Sequence, residues 1–435
     1  MLSLKNSNAG CWIFGLFLLL SLISSLLFGF THTPTWQDAS EYSAYATNLV
    51  SGNGYSLDGK VFSNFREPGV PFFLALVYSI FGNENITAVT LVQVVLLAFV
   101  AMMFFVMLRM LNYPKWGVVL GALVVLFPSY GYYTHEVSSE LLFTFFVTLS
   151  AFLLFLIVMN EKEGGATSTL YLLFGVVAGY GALVRIQFLF YVPMLAVVTL
   201  LFLRKHISWK KLLLTLFAYG VLVGGWALIC YIHTGSTALT TGRPELILHG
   251  RSVRAQLSYH ELGQYYVAWV HKRVTSDYID PMLKRADLVG LTADYVAAAS
   301  TTESINRIKK EDIAILKANP LHYLAGNFIE IAKLYYIEYL YTPYLGRVVR
   351  AGMYAGLYLF TLIGAYLLWR YRKNIDVETW SLVAIMSSLI FYNAAVLSFF
   401  DTIPRYNTPF LAFFLAIGVL GAATYWRNRK ALRER

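Results

Sequence analysis

Runs of about twenty apolar residues recur from one end of this 435-residue chain to the other, and they limit its fold more than any other feature. "CWIFGLFLLLSLISSLLFGF" (11–30) and "TAVTLVQVVLLAFVAMMFFVML" (87–108) are each long enough to cross a ~30 Å hydrocarbon layer. Inside such a layer every backbone N–H and C=O must be satisfied within the protein, so these runs predict helices. Candidate spans are 11–30, 88–109, 117–133, 138–159, 169–184, 187–203, 212–232, 350–369, 380–400 and 407–425. Charged residues make up 13% of the chain, half of the ~25% usual in a soluble protein. The chain reads as an all-α polytopic membrane protein of about 10–11 transmembrane helices.

The first run exceeds the apolar core of a usual signal peptide, lacks an Ala-x-Ala-type site and is followed by more spans, so it reads as a retained helix. Cys11 and Cys230 lie in or beside apolar runs and suggest no disulfide or metal framework. The formal charge of +10 raises nucleic-acid binding, but the cations form no soluble basic stripe, which argues against it. They gather instead in "RKHISWKK" (204–211), "RYRK" (370–373) and the tail "WRNRKALRER" (426–435), which the positive-inside rule assigns to the cytoplasm. Both termini then lie inside, and 31–87 and 233–349 lie outside. Residues 1–232 form a transmembrane core whose outer loop 31–87 carries the candidate site. Residues 233–322 form an outer segment, and 323–435 an interfacial helix with the last transmembrane helices. "FIEIAKLYYIEYLYTPYL" (328–345) is apolar, but Glu330, Lys333 and Glu338 make it a poor lipid-facing span, so an interfacial or partly buried helix is expected.

The first outer loop is patterned. "DASEYSAYATNLVSG" places Tyr42, Tyr45, Ala46 and Leu49 at helical spacing and stops at Gly52 and Gly54. "EPGVPFFLALVYSIFG" opens on prolines and stops at Gly82. Two short helices along the membrane surface are expected. Asn319-Pro320 should break the helical pattern of the later outer segment, because proline disfavours a helical residue before it.

The span middles hold no Asp, Glu, Lys or Arg, which argues against a proton-coupled pump or ion channel. Ionisable residues sit at span ends: Asp38 and Glu41; Arg66 and Glu67; Glu136 and Glu140; Arg185; Asp401 and Arg405. Any one of them alone is most simply a solvated anchor, and Glu67 alone a helix-start acid favoured by the dipole. The predicted topology brings the whole set to the outer face. Carboxylates beside arginines at a bilayer surface suit a phosphorylated lipid and an acceptor that loses a proton. The Arg fork binds phosphate and keeps its charge, and a carboxylate can take the proton of an attacking hydroxyl.

These same residues carry a resemblance. "D-x-x-E-Y…A-x-N-L…G-x-G-Y" followed by "R-E-P-G-V-P-F-F-L-A-L" resembles the first outer loop of the GT-C glycosyltransferases, and more narrowly the relatives of protein O-mannosyltransferases and aminoarabinose transferases. "YTHEVSSELLF", "LYLLFGVVAGYGALVRIQFLFYVP", "KANPLHYLAGNFIEIAKLYY" and "RYNTPFLAFFLAIG" are similar to that family's later segments, in its order. Two positions depart from the pattern: Ile186 stands where Pro is usual, and Glu41 lies three residues after Asp38 where many relatives have Asp-Glu.

The resemblance implies an integral inner-membrane enzyme, active on the extracytoplasmic face. It would move a sugar from a polyprenyl-phosphate donor to a lipid, glycan or protein acceptor, with inversion. It implies Asp38 as general base, Glu140 in the family's second acidic place as a catalytic residue supporting the site, and Arg66, Arg185 and Arg405 toward the phosphate. Glu41, Tyr42 and Tyr406 would line the substrate. No cofactor is required; Mg²⁺ or Mn²⁺ on Asp38 and Glu140 is an optional addition. A lipid-linked saccharide transporter or flippase, a glycan polymerase or ligase, and a structural membrane subunit are the competing expectations.

Overall fold

The computed structural model describes residues 7–29, 37–198, 209–241, 243–275, 302–335, 344–399 and 404–433. Asp401, residues 204–208 of the basic loop and 336–343 of the 328–345 segment lie outside the described residues.

The described chain is helical and contains no strand, only an isolated bridge between Ser56 and Phe62. The helices are α1 (Ser7–Gly29), α2 (Gln37–Val50), α3 (Gly69–Phe81), α4 (Ile86–Met110), α5 (Pro114–Leu126), α6 (Pro128–Tyr133), α7 (Ser139–Lys162) and α8 (Ser168–Val184). They continue with α9 (Tyr191–Val198), α10 (Trp209–Thr234), α11 (Arg243–Ala255), α12 (Tyr259–Thr275), α13 (Thr302–Ala318) and α14 (Pro320–Leu334). The last three are α15 (Tyr344–Arg370), α16 (Val377–Ser398) and α17 (Leu411–Arg433). Among the described residues, seven helices are long and apolar enough to cross a membrane: α1, α4, α7, α10, α15, α16 and α17.

Local signals set the boundaries. Asn85 caps α4 by accepting the Ala88 N–H at 3.0 Å. Gly52, Gly54 and Gly82 take φ values of 79°, 77° and 99°, where a side chain would be strained, and so end α2 and α3. The expected span 117–133 is not one helix. Pro128 has no N–H to continue the ladder, Phe127 takes an extended conformation, and α6 starts afresh at Pro128. Likewise 187–203 begins with a 3₁₀ turn over Ile186–Phe188 before α9.

By contact density the chain divides into two units, 1–239 with 357–390 and 408–435, and 240–356 with 391–407. In the first, α8 and α10 approach through Gly175, where a methyl group would come within 2.4 Å of the Thr215 carbonyl oxygen. Thr215 Oγ1 in turn donates to Tyr171 O at 2.9 Å. Close approach of small residues is how helices gain contact when lipid is as apolar as they are. α15 and α17 meet the same way at Gly364, Gly418 and Gly421.

In the second unit Glu330 of α14 is fully buried. It lies 3.4 Å from Lys333, 3.7 Å from Arg254 and 3.9 Å from Arg251. Glu330 and Lys333, in the described part of the segment expected to be an interfacial or partly buried helix, are both buried. Asn319 and Pro320 break α13 from α14, as expected.

Gly421→Val places a branched side chain where even a Cβ would lie 2.3 Å from the Gly364 carbonyl oxygen. We expect this overpacking to destabilise the fold by about 1–3 kcal/mol, seen as a lower melting temperature of detergent-purified protein. An unchanged melting temperature would contradict the close α15–α17 contact.

Candidate active site

The loop between α2 and α3 folds down onto its helices around an aromatic floor. Tyr45 of α2 stacks on Tyr55 with ring centroids 4.3 Å apart, and Trp226 of α10 meets Tyr55 edge-on at 4.8 Å. Leu183 and Cys230 complete this buried cluster. Hydrogen bonds fix the loop above it: Asn64 Nδ2 to Ala238 O at 2.9 Å, and Asn48 Nδ2 to Ser56 O at 2.9 Å. At the solvent edge Asp58 accepts from the Lys60 and Val61 amides and from Ser56. These bonds pull its pKa down to about 2 and keep the turn shut with a charged carboxylate.

Arg66 stands on this floor, only 2% exposed. Its own carbonyl accepts from Tyr55 Oη at 2.9 Å. Burial pushes the Tyr55 phenol well above its ordinary pKa, so it remains a donor. The guanidinium is held by two carboxylates: Nη2 donates to Asp38 Oδ1 at 2.5 Å, and Nε donates to Glu41 Oε2. Asp38 and Glu41 are one helical turn apart on α2, so both face the same way. The guanidinium also lies over the rings of Tyr42 at 5.3 Å and Phe65 at 5.4 Å. Burial opposes its charge, but Tyr42, Asp38 and Glu41 outweigh that and raise its pKa above the ordinary value. Nη1 is buried, with no hydrogen-bond partner among the described residues.

A second ion pair joins α7 to the end of α8. Glu140 lies in the first turn of α7, where the helix dipole favours an acid, and Arg185 follows the last residue of α8. Their Oε1 and Nη1 are 3.4 Å apart, with Glu140 2% exposed. Arg185 also lies over the Phe143 ring at 5.8 Å.

The two pairs are neighbours because Gly69, which opens α3, packs on the backbone of Val184. A methyl group at Gly69 would come within 2.6 Å of the Val184 nitrogen. Tyr180 Oη donates to Gly69 O at 2.8 Å and fastens the same junction. With about 3.8 Å per residue, the Cα atoms of Arg66 and Arg185 lie within roughly 20 Å of each other. The 134–138 connection into α7 is pinned as well: Gln93 Nε2 donates to Thr134 O at 3.2 Å and Glu136 O at 3.0 Å.

The structure therefore gathers Asp38, Glu41, Tyr42 and Arg66 into one cluster and joins Glu140 to Arg185 beside it. Arg405 and Tyr406 belong to the second unit, where the guanidinium lies over its neighbour's ring at 5.7 Å. Sequence reasoning passed over Gln93 and Tyr180 and took Tyr55 only as the last residue of the G-x-G-Y pattern; all three hold the backbone of the site. Tyr55 had a visible signal, an aromatic residue directly after the Gly-x-Gly that stops α2.

Among the described residues no three His, Cys, Asp or Glu side chains gather as metal ligands would. The two carboxylates expected to bind a divalent ion each face an arginine, a cation standing where a metal would need to sit. This donor set does not fit a metal.

Residues 66–230 match the family model described as dolichyl-phosphate-mannose-protein mannosyltransferase. No curated protein matches the chain. Among solved structures, the Archaeoglobus fulgidus oligosaccharyltransferase AglB, in complex with an inhibitory peptide and a dolichol-phosphate, aligns with a TM-score of 0.56 at 12% identity. That alignment covers 99% of this chain and 52% of AglB. The apo form of the A. fulgidus enzyme gives 0.55 at 13% identity, over 98% and 52% of the two chains. ArnT from Cupriavidus metallidurans bound to undecaprenyl phosphate gives 0.45 at 12% identity, over 96% and 78%. The chain thus spans about half the length of the archaeal enzyme whose fold it shares. The resemblance to GT-C glycosyltransferases in the sequence recurs in the family model over 66–230 and in the fold.

Proposed function

We propose that this protein is an integral membrane glycosyltransferase. It transfers a sugar from a polyprenyl-phosphate donor to an acceptor on the extracytoplasmic face of the inner membrane. The observation that carries this reading is the Asp38–Arg66–Glu41 clamp, with Glu140–Arg185 beside it. The family match over 66–230, which includes Arg66, Glu140 and Arg185, supports it. The dolichol-phosphate bound by AglB indicates the kind of donor to test first.

In the proposed reaction the acceptor oxygen attacks the anomeric carbon while Asp38 takes its proton. The new C–O bond forms as the bond from that carbon to the phosphate oxygen breaks, and its electrons leave on polyprenyl phosphate. One displacement inverts the anomeric centre. Arg66 and Arg185 offset the charge that grows on the departing phosphate. Arg66 turns Nε and Nη2 to its carboxylates, so Nη1 is the atom we assign to phosphate. Glu140 orients Arg185, and Glu41 shares Arg66 with Asp38 so that the base stays in place. No step runs through a metal.

Asp38→Asn should lower turnover by about 10²–10⁴-fold, the contribution of a positioned base, while donor retention and melting temperature change little. Full turnover would remove Asp38 as the base. Arg185→Lys keeps the charge but loses the planar fork. It should weaken binding of sugar-free polyprenyl phosphate by about 10–100-fold, the equivalent of one charged hydrogen bond. Unchanged binding would take Arg185 out of the phosphate site. Facilitated movement of the intact donor across vesicles, without transfer, would instead support a flippase.

A further inference from the structure

A basic site lies at the other end of the bundle. α4 runs away from the outer loop for 25 residues, about 37 Å of helix, and turns at Asn112 into α5. There the corner residues Asn112–Trp116 and Val119 face Ala423, Trp426, Arg427, Arg429 and Lys430 of α17 across a cavity of about 810 Å³. Four cations line it: Lys115, Arg427, Arg429 and Lys430. Among its lining residues there is no carboxylate. Arg427 braces the two walls, donating to Tyr113 Oη at 3.1 Å and reaching Asp376 at 3.4 Å. Lys115, Arg429 and Lys430 are exposed, as is Trp426.

We propose that this cavity binds the head group of an anionic glycerophospholipid from the leaflet opposite the transfer site. Position selects a lipid. The cavity opens where the apolar stretches Ile86–Met110 and Arg405–Ala431 end, so it straddles the edge of the hydrocarbon. Val119 and two indoles, Trp116 and Trp426, form an apolar and amphipathic rim suited to glycerol and the first acyl carbons. Charge selects an anion, because cations clustered between helix ends are a recurrent lipid-phosphate site. Scattered interfacial anchors would give the same composition but no shared concave wall from residues more than 300 positions apart in sequence.

The test uses full-length protein in detergent, with binding read by native mass spectrometry. The probes are dioctanoyl phosphatidylglycerol, dioctanoyl phosphatidylcholine and inorganic phosphate. Wild type should bind the anionic lipid at least tenfold more tightly than the zwitterionic one. A Lys115→Gln, Arg429→Gln, Lys430→Gln variant should lose that preference at unchanged lipid-free melting temperature. If the triple variant melts early, Lys115→Glu alone should still reduce the preference severalfold. Equal affinity for the two lipids, a preference that survives the substitutions, or competition by phosphate at equal concentration would each overturn the proposal. None of these readouts depends on sugar transfer.

Discussion

A buried guanidinium with two carboxylates on it is the interaction around which the α2–α3 loop is organised. Removing an arginine from water costs several kcal/mol, and among the described residues Arg66 recovers that through Asp38, Glu41 and the faces of Tyr42 and Phe65. The requirement fixes much else. α2 must present its first turn to the loop, and the loop must pass under Arg66 so that Tyr55 can hold its carbonyl. The aromatic floor of Tyr45, Tyr55 and Trp226 lies beneath the guanidinium, while Asp38 and Glu41 stay partly exposed at its other side.

In the proposed reading the clamp also shapes the chemistry. Two carboxylates on one arginine leave the α2 cluster with an excess negative charge, so Arg66 alone is a poor receptor for a phosphate. The Glu140–Arg185 pair, brought near by Gly69 on Val184, adds no net charge of its own, so in the proposed reading the phosphate is met by directed N–H donors rather than by an excess of cations. The acids do double duty in this account, positioning a cation and standing ready for a proton.

Much of this was legible in the sequence. Apolar length gave most of the spans, and Gly52, Gly54 and Gly82 marked the ends of the two loop helices. The ionic candidates were visible because a membrane chain carries so few charges. Pairings were not. The spacing of Asp38 and Glu41 looked like a departure from the Asp-Glu of many relatives, yet one turn of helix is what allows both acids to reach a single guanidinium. The Phe127–Pro128 break was hidden inside an apolar run that reads as continuous by hydropathy. The four-charge cluster around Glu330 and the basic cavity between 112–119 and α17 depend on distant segments meeting, which no local pattern encodes.

A double-mutant cycle between Asp38 and Arg66 tests the central claim most directly, with Asp38→Asn, Arg66→Gln and the pair compared by unfolding in detergent. The clamp predicts strong coupling. Either single change leaves a buried charge short of its partner, the double change removes both charges, and the coupling should exceed about 1 kcal/mol. Additive effects would mean that the two side chains do not meet in the folded protein, and the site built on that contact would fall with it.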